Sequence, residues 1–160
     1  MNNSYSYTVL SHATDLGVKF LKTHPDAILP ERNHKDTLTG DSGYDVTAVE
    51  DTTIPARGAA IVPVGLKLAY LPPGIWIRVE SRSGLQFKHG LQAFNGIIDN
   101  SFRGDLGIRM LNHSNKDYTV KKGDRVAQFV LYPLVTLESS WSEAVHETER
   151  GEKGFGSSGN

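Results

Sequence analysis

The sequence predicts an all-β domain with antiparallel strands and one short helix. Two observations predict it. From Pro55 onward, apolar and polar residues alternate with a period of two, the pattern of strands that bury one face. Glycines and prolines, 16 and 7 in number, fall between those runs as turn formers.

The elements follow in chain order. Tyr7-Thr8-Val9-Leu10 and Val18-Lys19-Phe20-Leu21 are apolar patches of strand length. Residues 22–42 are polar, carry Pro25, Pro30 and Gly40, and read as a long surface loop, of a length usually either functional or partly disordered. Asp41-Ser42-Gly43-Tyr44-Asp45-Val46 reads as a turn entering a strand. Asp45 is there either solvated or set against a cation or sugar. Leu66, Leu68 and Tyr70 alternate with Lys67 and Ala69, and Ile75, Ile77 and Val79 with Trp76, Arg78 and Glu80. Pro72-Pro73-Gly74 lies between the two runs, which together predict an antiparallel pair.

Ser81-Arg82-Ser83-Gly84-Leu85-Gln86 interrupts the alternation. Ser83 is the expected N-cap of one helical turn that His89 ends and Gly90 stops. Such a start leaves N–H groups at Ser83, Gly84 and Leu85 for an anion, with Arg82 as a forked cation beside them. A capped turn with an exposed arginine is the plainer reading. In the segment 96–104, glycines bound Ile97, Ile98, Asp99, Asn100, Ser101, Phe102 and Arg103, which predicts a hairpin tipped by turn formers. Asp99 either shapes that turn or acts as a general base. Leu106, Ile108 and Met110, then Tyr118 and Val120, alternate as strands, and Lys122-Gly123-Asp124 is a tight turn.

Residues 125–131 are apolar on both faces, so a second cover is needed and another subunit can supply it. Gln128 among those residues needs hydrogen-bond partners, from the protein or from a ligand. Residues 136–148 are expected to form a short helix around Trp141, Ala144 and Val145. The glycine-rich stretch after Arg150 has the composition of a loose tail. Arg150 and Phe155 nevertheless give it one cation and one ring, which suit a lid over a charged aromatic ligand.

A chain of 160 residues is one domain by length. The net charge of −1 gives no footprint for nucleic acid or an anionic membrane, so neither is an expected partner. With no cysteine, disulfides and thiolate metal sites are excluded, in keeping with a reducing compartment. No signal peptide is evident at the N-terminus, and no apolar run approaches the ~20 residues of a membrane span. The expected location is cytoplasmic, or the interior of a host cell for a virus-encoded chain. The six histidines are scattered without metal-ligand spacing.

Five segments, in 41–51, 80–85, 96–107, 123–131 and 150–159, resemble in their order the five motifs of the trimeric all-β dUTPases. The resemblance runs from about Val18 onward. It implies a distorted jelly-roll-like antiparallel barrel or sandwich over 1–148, a glycine-rich lid over 149–160, and a homotrimer with sites between subunits. It also implies hydrolysis of dUTP to dUMP and pyrophosphate, with Asp99 deprotonating a water that attacks the α-phosphorus. Such an activity keeps uracil out of DNA and supplies dUMP for thymidylate synthesis.

By the same resemblance, Arg82, Ser83, Gly84 and Gln128 match phosphate-binding positions. Gly96, Ile97 and Ile98 match the backbone that reads uracil. Phe102 matches the ring under the deoxyribose. Arg150 matches a contact to the terminal phosphates, Phe155 a ring stacked on uracil, and Gly156 and Ser157 the closing segment. Asn95 lies where some members place a uracil-contacting side chain. Mg²⁺ is expected to bind through substrate phosphates and water, with Asp45 in its outer shell. The chain departs from the family pattern at Ser81, usually proline, and at Phe102, usually tyrosine. The loop 22–42 is longer than in compact members and leaves room for a regulatory protein partner. Among rivals, a dCTP deaminase of the same fold would lack this tail and centre its site on a glutamate. A nucleotide-gated binding protein has only the long loop in its favour.

Overall fold

A computed structural model describes residues 17–152 and 154. Among them are ten strands and one helix: β1 (Lys19–Lys22), β2 (Gly43–Thr47), β3 (Thr52–Ile54), β4 (Ala59–Tyr70), β5 (Ile75–Ser81), α1 (Ser83–His89), β6 (Leu91–Ala93), β7 (Gly96–Ile98), β8 (Asp105–Asn112), β9 (Tyr118–Val120) and β10 (Arg125–Pro133). One sheet has the order β1-β4-β8-β6, a second β2-β10-β5-β7, and β3 with β9 forms a two-stranded ribbon. Every strand pair is antiparallel. The result is the expected distorted jelly-roll-like sandwich.

The period of two explains the packing. Val62, Val64, Leu66 and Leu68 turn inward from β4, and Leu106, Ile108 and Met110 from β8. Ile77 and Val79 of β5 and Phe129 of β10 meet them from the second sheet. Burying such side chains is worth roughly 1.5–3 kcal/mol each. At the end of β8, buried Asn112 donates to the carbonyls of Ile54 and Lys116 and accepts from the N–H of Ser114, so no polar atom of its amide is left unmatched.

Four expectations are corrected. Residues 66–70 and 75–79 do not pair with each other, since β4 and β5 lie in different sheets. Pro72 and Pro73 have no N–H for a ladder, and the connection carries the chain across the sandwich. Alternation shows that each strand has an inner face and does not say which sheet supplies it. Likewise β7 pairs with β5, Ile98 opposite Ile77, whereas β8 lies in the other sheet, so 96–104 is an opened corner rather than a laddered hairpin. The N-cap of α1 is Arg82 instead of Ser83, with no side-chain cap bond. The helix expected in 136–148 is absent. Its apolar residues Leu137, Trp141 and Val145 are exposed and are not packed on any face formed by the described residues.

Other expectations hold. Gly90 ends α1 in the left-handed conformation, its N–H donating to the Gln86 carbonyl. Gly123 forms the turn that feeds β10, closed by the Asp124 N–H on the Lys121 carbonyl. The strand expected at 7–10 lies outside the described residues. No helix among the described residues is long and apolar enough to cross a membrane.

Candidate functional site

The candidate residues fall into two groups at opposite ends of β5. The first is a cleft of about 190 Å³ between β7 and β8, lined by Asn95, Ile97, Ile98, Asp99, Phe102 and Gly107. It exists because these consecutive strands belong to different sheets and splay apart. Asn95 ties their roots together. Its Nδ2 donates to the Gly107 carbonyl at 2.6 Å, and its Oδ1 accepts from the Arg109 N–H at 2.9 Å. Beyond Ile98 the chain turns, with the Phe102 N–H on the Asp99 carbonyl at 3.0 Å. Asn100 anchors that turn by donating to the carbonyls of Leu71, Pro72 and Ile75. The carboxylate of Asp99 is thereby presented at the cleft, exposed, on a backbone that is held. The Phe102 ring lies over Gly104, where an added Cβ would come within 2.6 Å of Cζ, so the glycine sets how flat the ring can lie.

The second group gathers on Asp45. Arg82 Nε donates to Asp45 Oδ1 at 2.9 Å, and Arg82 Nη1 to the Arg125 carbonyl at 3.1 Å. Arg125 Nη1 donates to Asp45 Oδ2 at 3.0 Å. The loop adds Asn33, whose Nδ2 donates to Asp45 Oδ2 at 2.8 Å and whose Oδ1 accepts from Arg125 Nη1 at 2.7 Å. One carboxylate thus meets two guanidinium groups, and the cluster carries one excess positive charge. Among the described residues Arg82 Nη2 has no acceptor, so part of its fork is available to an anion. Ser83 and Gly84 follow directly in the first turn of α1, and an added Cβ at Gly84 would meet nothing within 4 Å. The Leu85 N–H, expected to be available, instead donates to the Arg82 carbonyl.

Gln128 sits at the same end, opposite Asp45 on β2 and Glu80 on β5, and its Nε2 donates to the Ser81 carbonyl at 3.0 Å. Its side chain lies on Gly43, whose missing Cβ makes that approach sterically allowed. Arg125 and Asn33 were missed as site residues. Arg125 carried a faint signal as a charge at the mouth of an apolar strand. Asn33 carried none, because its role depends on a contact across 92 residues of chain.

The two groups do not meet within one chain. Ile98 pairs with Ile77. Arg82 lies five positions further along, about 17 Å at the ~3.3–3.4 Å rise of a strand, and Asp99 points the other way. Arg150, in a turn well after β10, is exposed and directs Nη2 at the Gly154 carbonyl at 3.5 Å. Phe155, Gly156 and Ser157 lie outside the described residues. No three His, Asp or Glu groups among the described residues converge to hold a metal ion.

The family model described as dUTPase matches residues 32–159. A deoxyuridine 5′-triphosphate nucleotidohydrolase of Oryza sativa subsp. japonica is 42% identical over 142 residues, spanning 89% of this chain and 80% of that one. The enzyme of the same name from Paramecium bursaria Chlorella virus 1 is 40% identical over 120 residues, spanning 75% and 84%. Among solved structures, a Staphylococcus bacteriophage 80alpha dUTPase variant with dUpNHpp superposes with a TM-score of 0.79 at 31% identity, covering 90% of this chain and 99% of that one. A dUTPase variant from phage phi11 of S. aureus, described with a structural Mg(II) ion, gives 0.72 at 25% identity, covering 82% and 99%.

Proposed function

This chain belongs to the dUTPase family and hydrolyses dUTP to dUMP, and we propose that it does so with Asp99 as general base in a site shared between subunits of a homotrimer. The observation that carries the proposal is the separation along β5. A base and a phosphate clamp must both reach one substrate, and Asp99 and Arg82 stand at opposite ends of the strand. Two chains bring them together when the cleft of one faces the clamp of its neighbour. Cyclic symmetry then repeats the arrangement. The exposed Leu137, Trp141 and Val145 suit an arm that crosses to another subunit, carrying Arg150 and the Phe155, Gly156 and Ser157 segment with it.

The division of labour follows from the chemistry. The cleft takes the nucleoside. The backbone of Gly96, Ile97 and Ile98 reads the uracil edge, and Asn95 fixes the width of the slot. Phe102 lies against the sugar and fills the space of a 2′-hydroxyl. Specificity against cytosine rests on mismatched donors and acceptors, which discriminates more strongly than shape alone. Arg82, the Ser83 and Gly84 backbone and Gln128 hold the phosphates. Asp99 takes a proton from water as its oxygen bonds to the α-phosphorus. The bond from that phosphorus to the bridging oxygen breaks, and pyrophosphate leaves.

Mg²⁺ fits as an ion carried by the triphosphate and water, neutralising charge on the phosphates, because the described residues offer no cage of their own. Asp45 reaches it only from the outer shell, since its oxygens already accept three donors. The proposed location is the cytoplasm, or the host interior for a virus-encoded chain. The reading is tested by pyrophosphate release from dUTP, dTTP, dCTP and UTP. Turnover of dUTP far above the other three is expected, and equal turnover of all four, or none of dUTP, contradicts it.

A further inference from the structure

We propose that Asn33, in the long loop before β2, is a positioning residue that sets the phosphate clamp. The inference rests on the reading of Arg82 as a phosphate ligand. Asn33 touches no predicted substrate group. It sits between Asp45 and Arg125, donating to the carboxylate at 2.8 Å and accepting from the guanidinium at 2.7 Å. Asp45 in turn fixes Arg82 Nε, and the Arg125 carbonyl fixes Arg82 Nη1. One anchor of Arg82, the Asp45 carboxylate, is therefore bonded directly to the loop amide, and the residue whose carbonyl supplies the other is tied to it through its side chain.

The loop delivers that amide rigidly. The Asp45 N–H donates to the Glu31 carbonyl at 2.8 Å, which fixes the backbone two residues before Asn33. Arg32 donates to the carbonyls of Asp41 and Lys35, and its guanidinium lies 5.7 Å over the Tyr44 ring. His34 Nδ1 stands 3.1 Å from Asp41 Oδ1, and the His34 N–H donates to the same carboxylate. The loop is thus closed on itself on both sides of Asn33, so little conformational freedom remains to be lost when substrate binds.

An amide suits this place because one planar group offers a donor and an acceptor without charge. It can face a carboxylate and a guanidinium at once and leave the cluster with its excess positive charge. Aspartate at 33 would keep the acceptor for Arg125, set a second negative charge against Asp45 and cancel the excess. Alanine would take one donor from Asp45 Oδ2 and one acceptor from Arg125 Nη1, leaving the two held only by their bond to each other. The role of the long loop is then to carry a remote support for the clamp, which adjusts phosphate affinity without touching the nucleoside cleft.

The test measures dUTP kinetics, inhibition by inorganic pyrophosphate and the melting temperature for the full chain, Asn33→Ala, Asn33→Asp and the loop control Lys35→Ala. Among the described residues the Lys35 side chain pairs with Glu31 alone, at the surface, and the backbone carbonyl that Arg32 uses survives the substitution, so this variant is expected to match the parent. Asn33→Ala is expected to raise KM about tenfold, the size of a lost charge-assisted hydrogen bond, with kcat changed much less. The pyrophosphate inhibition constant should rise in parallel, and Asn33→Asp should exceed Asn33→Ala in both. Unchanged KM and pyrophosphate inhibition in both Asn33 variants overturn the inference, whatever their melting temperatures, provided the parent turns over dUTP. A parent that does not turn over dUTP overturns the functional reading itself.

Discussion

Arg82 Nε donates to Asp45 Oδ1 at 2.9 Å, and the Asp45 side chain is only 13% exposed. The pair is set before any ligand arrives, with Arg125 and Asn33 closing the other carboxylate oxygen. Preorganising a cation in this way lowers the cost of ordering it around a triphosphate.

Removing that carboxylate should therefore loosen the clamp. Asp45→Ala is expected to raise KM for dUTP at least about tenfold and to lower stability by about 1–3 kcal/mol, as expected for half-buried donors left without their acceptor. Steady-state kinetics and denaturant unfolding measure the two effects. A variant that keeps KM would mean Arg82 needs no anchor.

Asp99 is expected to act on the chemical step alone. Asp99→Asn should lower kcat by about 10²–10⁴-fold, the usual worth of a general base. Binding of a non-hydrolysable dUTP analogue should persist, because Asp99 lies exposed at the rim and no fold contact depends on its carboxylate among the described residues. Full turnover in this variant would remove Asp99 from the mechanism.

Sugar discrimination should respond to Gly104 as much as to Phe102. In Gly104→Ala the new Cβ would come within 2.6 Å of the ring, which must lift. The expected outcome is a higher KM for dUTP and a smaller preference for dUTP over UTP, with little loss of stability, because the ring that must move is 43% exposed. Unchanged preference between the two nucleotides would show that the ring does not contact the sugar.

Much of this was legible in the sequence, for definable reasons. Local signals reported local facts. The alternation in Leu106, Ile108 and Met110 gave β8, and Gly90 gave the end of α1. The order of the motifs gave the candidate residues. What the sequence did not carry was sheet membership. Alternation in β4 and β5 is identical whether they pair or face each other, so the crossing at Pro72-Pro73-Gly74 was read as a hairpin. The same limit hid the opened corner between β7 and β8, although that corner makes the cleft. Trp141 and Val145 suggested a helix because apolar residues at that spacing suit one, although both side chains are exposed. Asn33 was silent because an amide gains its role only from what folding brings beside it.

Acid should destabilise the molecule from about pH 4 downward. Four aspartates are held below the usual carboxylate range: Asp41 by the His34 side chain, Asp51 by Lys121, Asp26 by Lys122, and Asp36 by the Thr39 N–H. A lowered carboxyl pKa stabilises the fold above the unfolded value, and that contribution is lost as pH falls through the folded value. Melting temperature should hold from pH 7 to about pH 5 with respect to these groups and fall towards pH 3. In Asp41→Asn the fall should be shallower. A melting temperature that is flat or rising between pH 5 and pH 3 would contradict these contacts.

The central claim is that Asp99 of one subunit and Arg82 of another act on the same nucleotide, and mixing variants tests it most directly. Asp99→Asn and Arg82→Ala chains, each nearly inactive alone, are unfolded together in equal amounts and refolded into mixed assemblies. With shared sites, about a quarter of them pair an intact Asp99 with an intact Arg82, so the mixture should recover about a quarter of parental dUTP turnover. No recovery from a mixture shown to contain both chains in one assembly would place Asp99 and Arg82 in the same subunit's site and contradict the account.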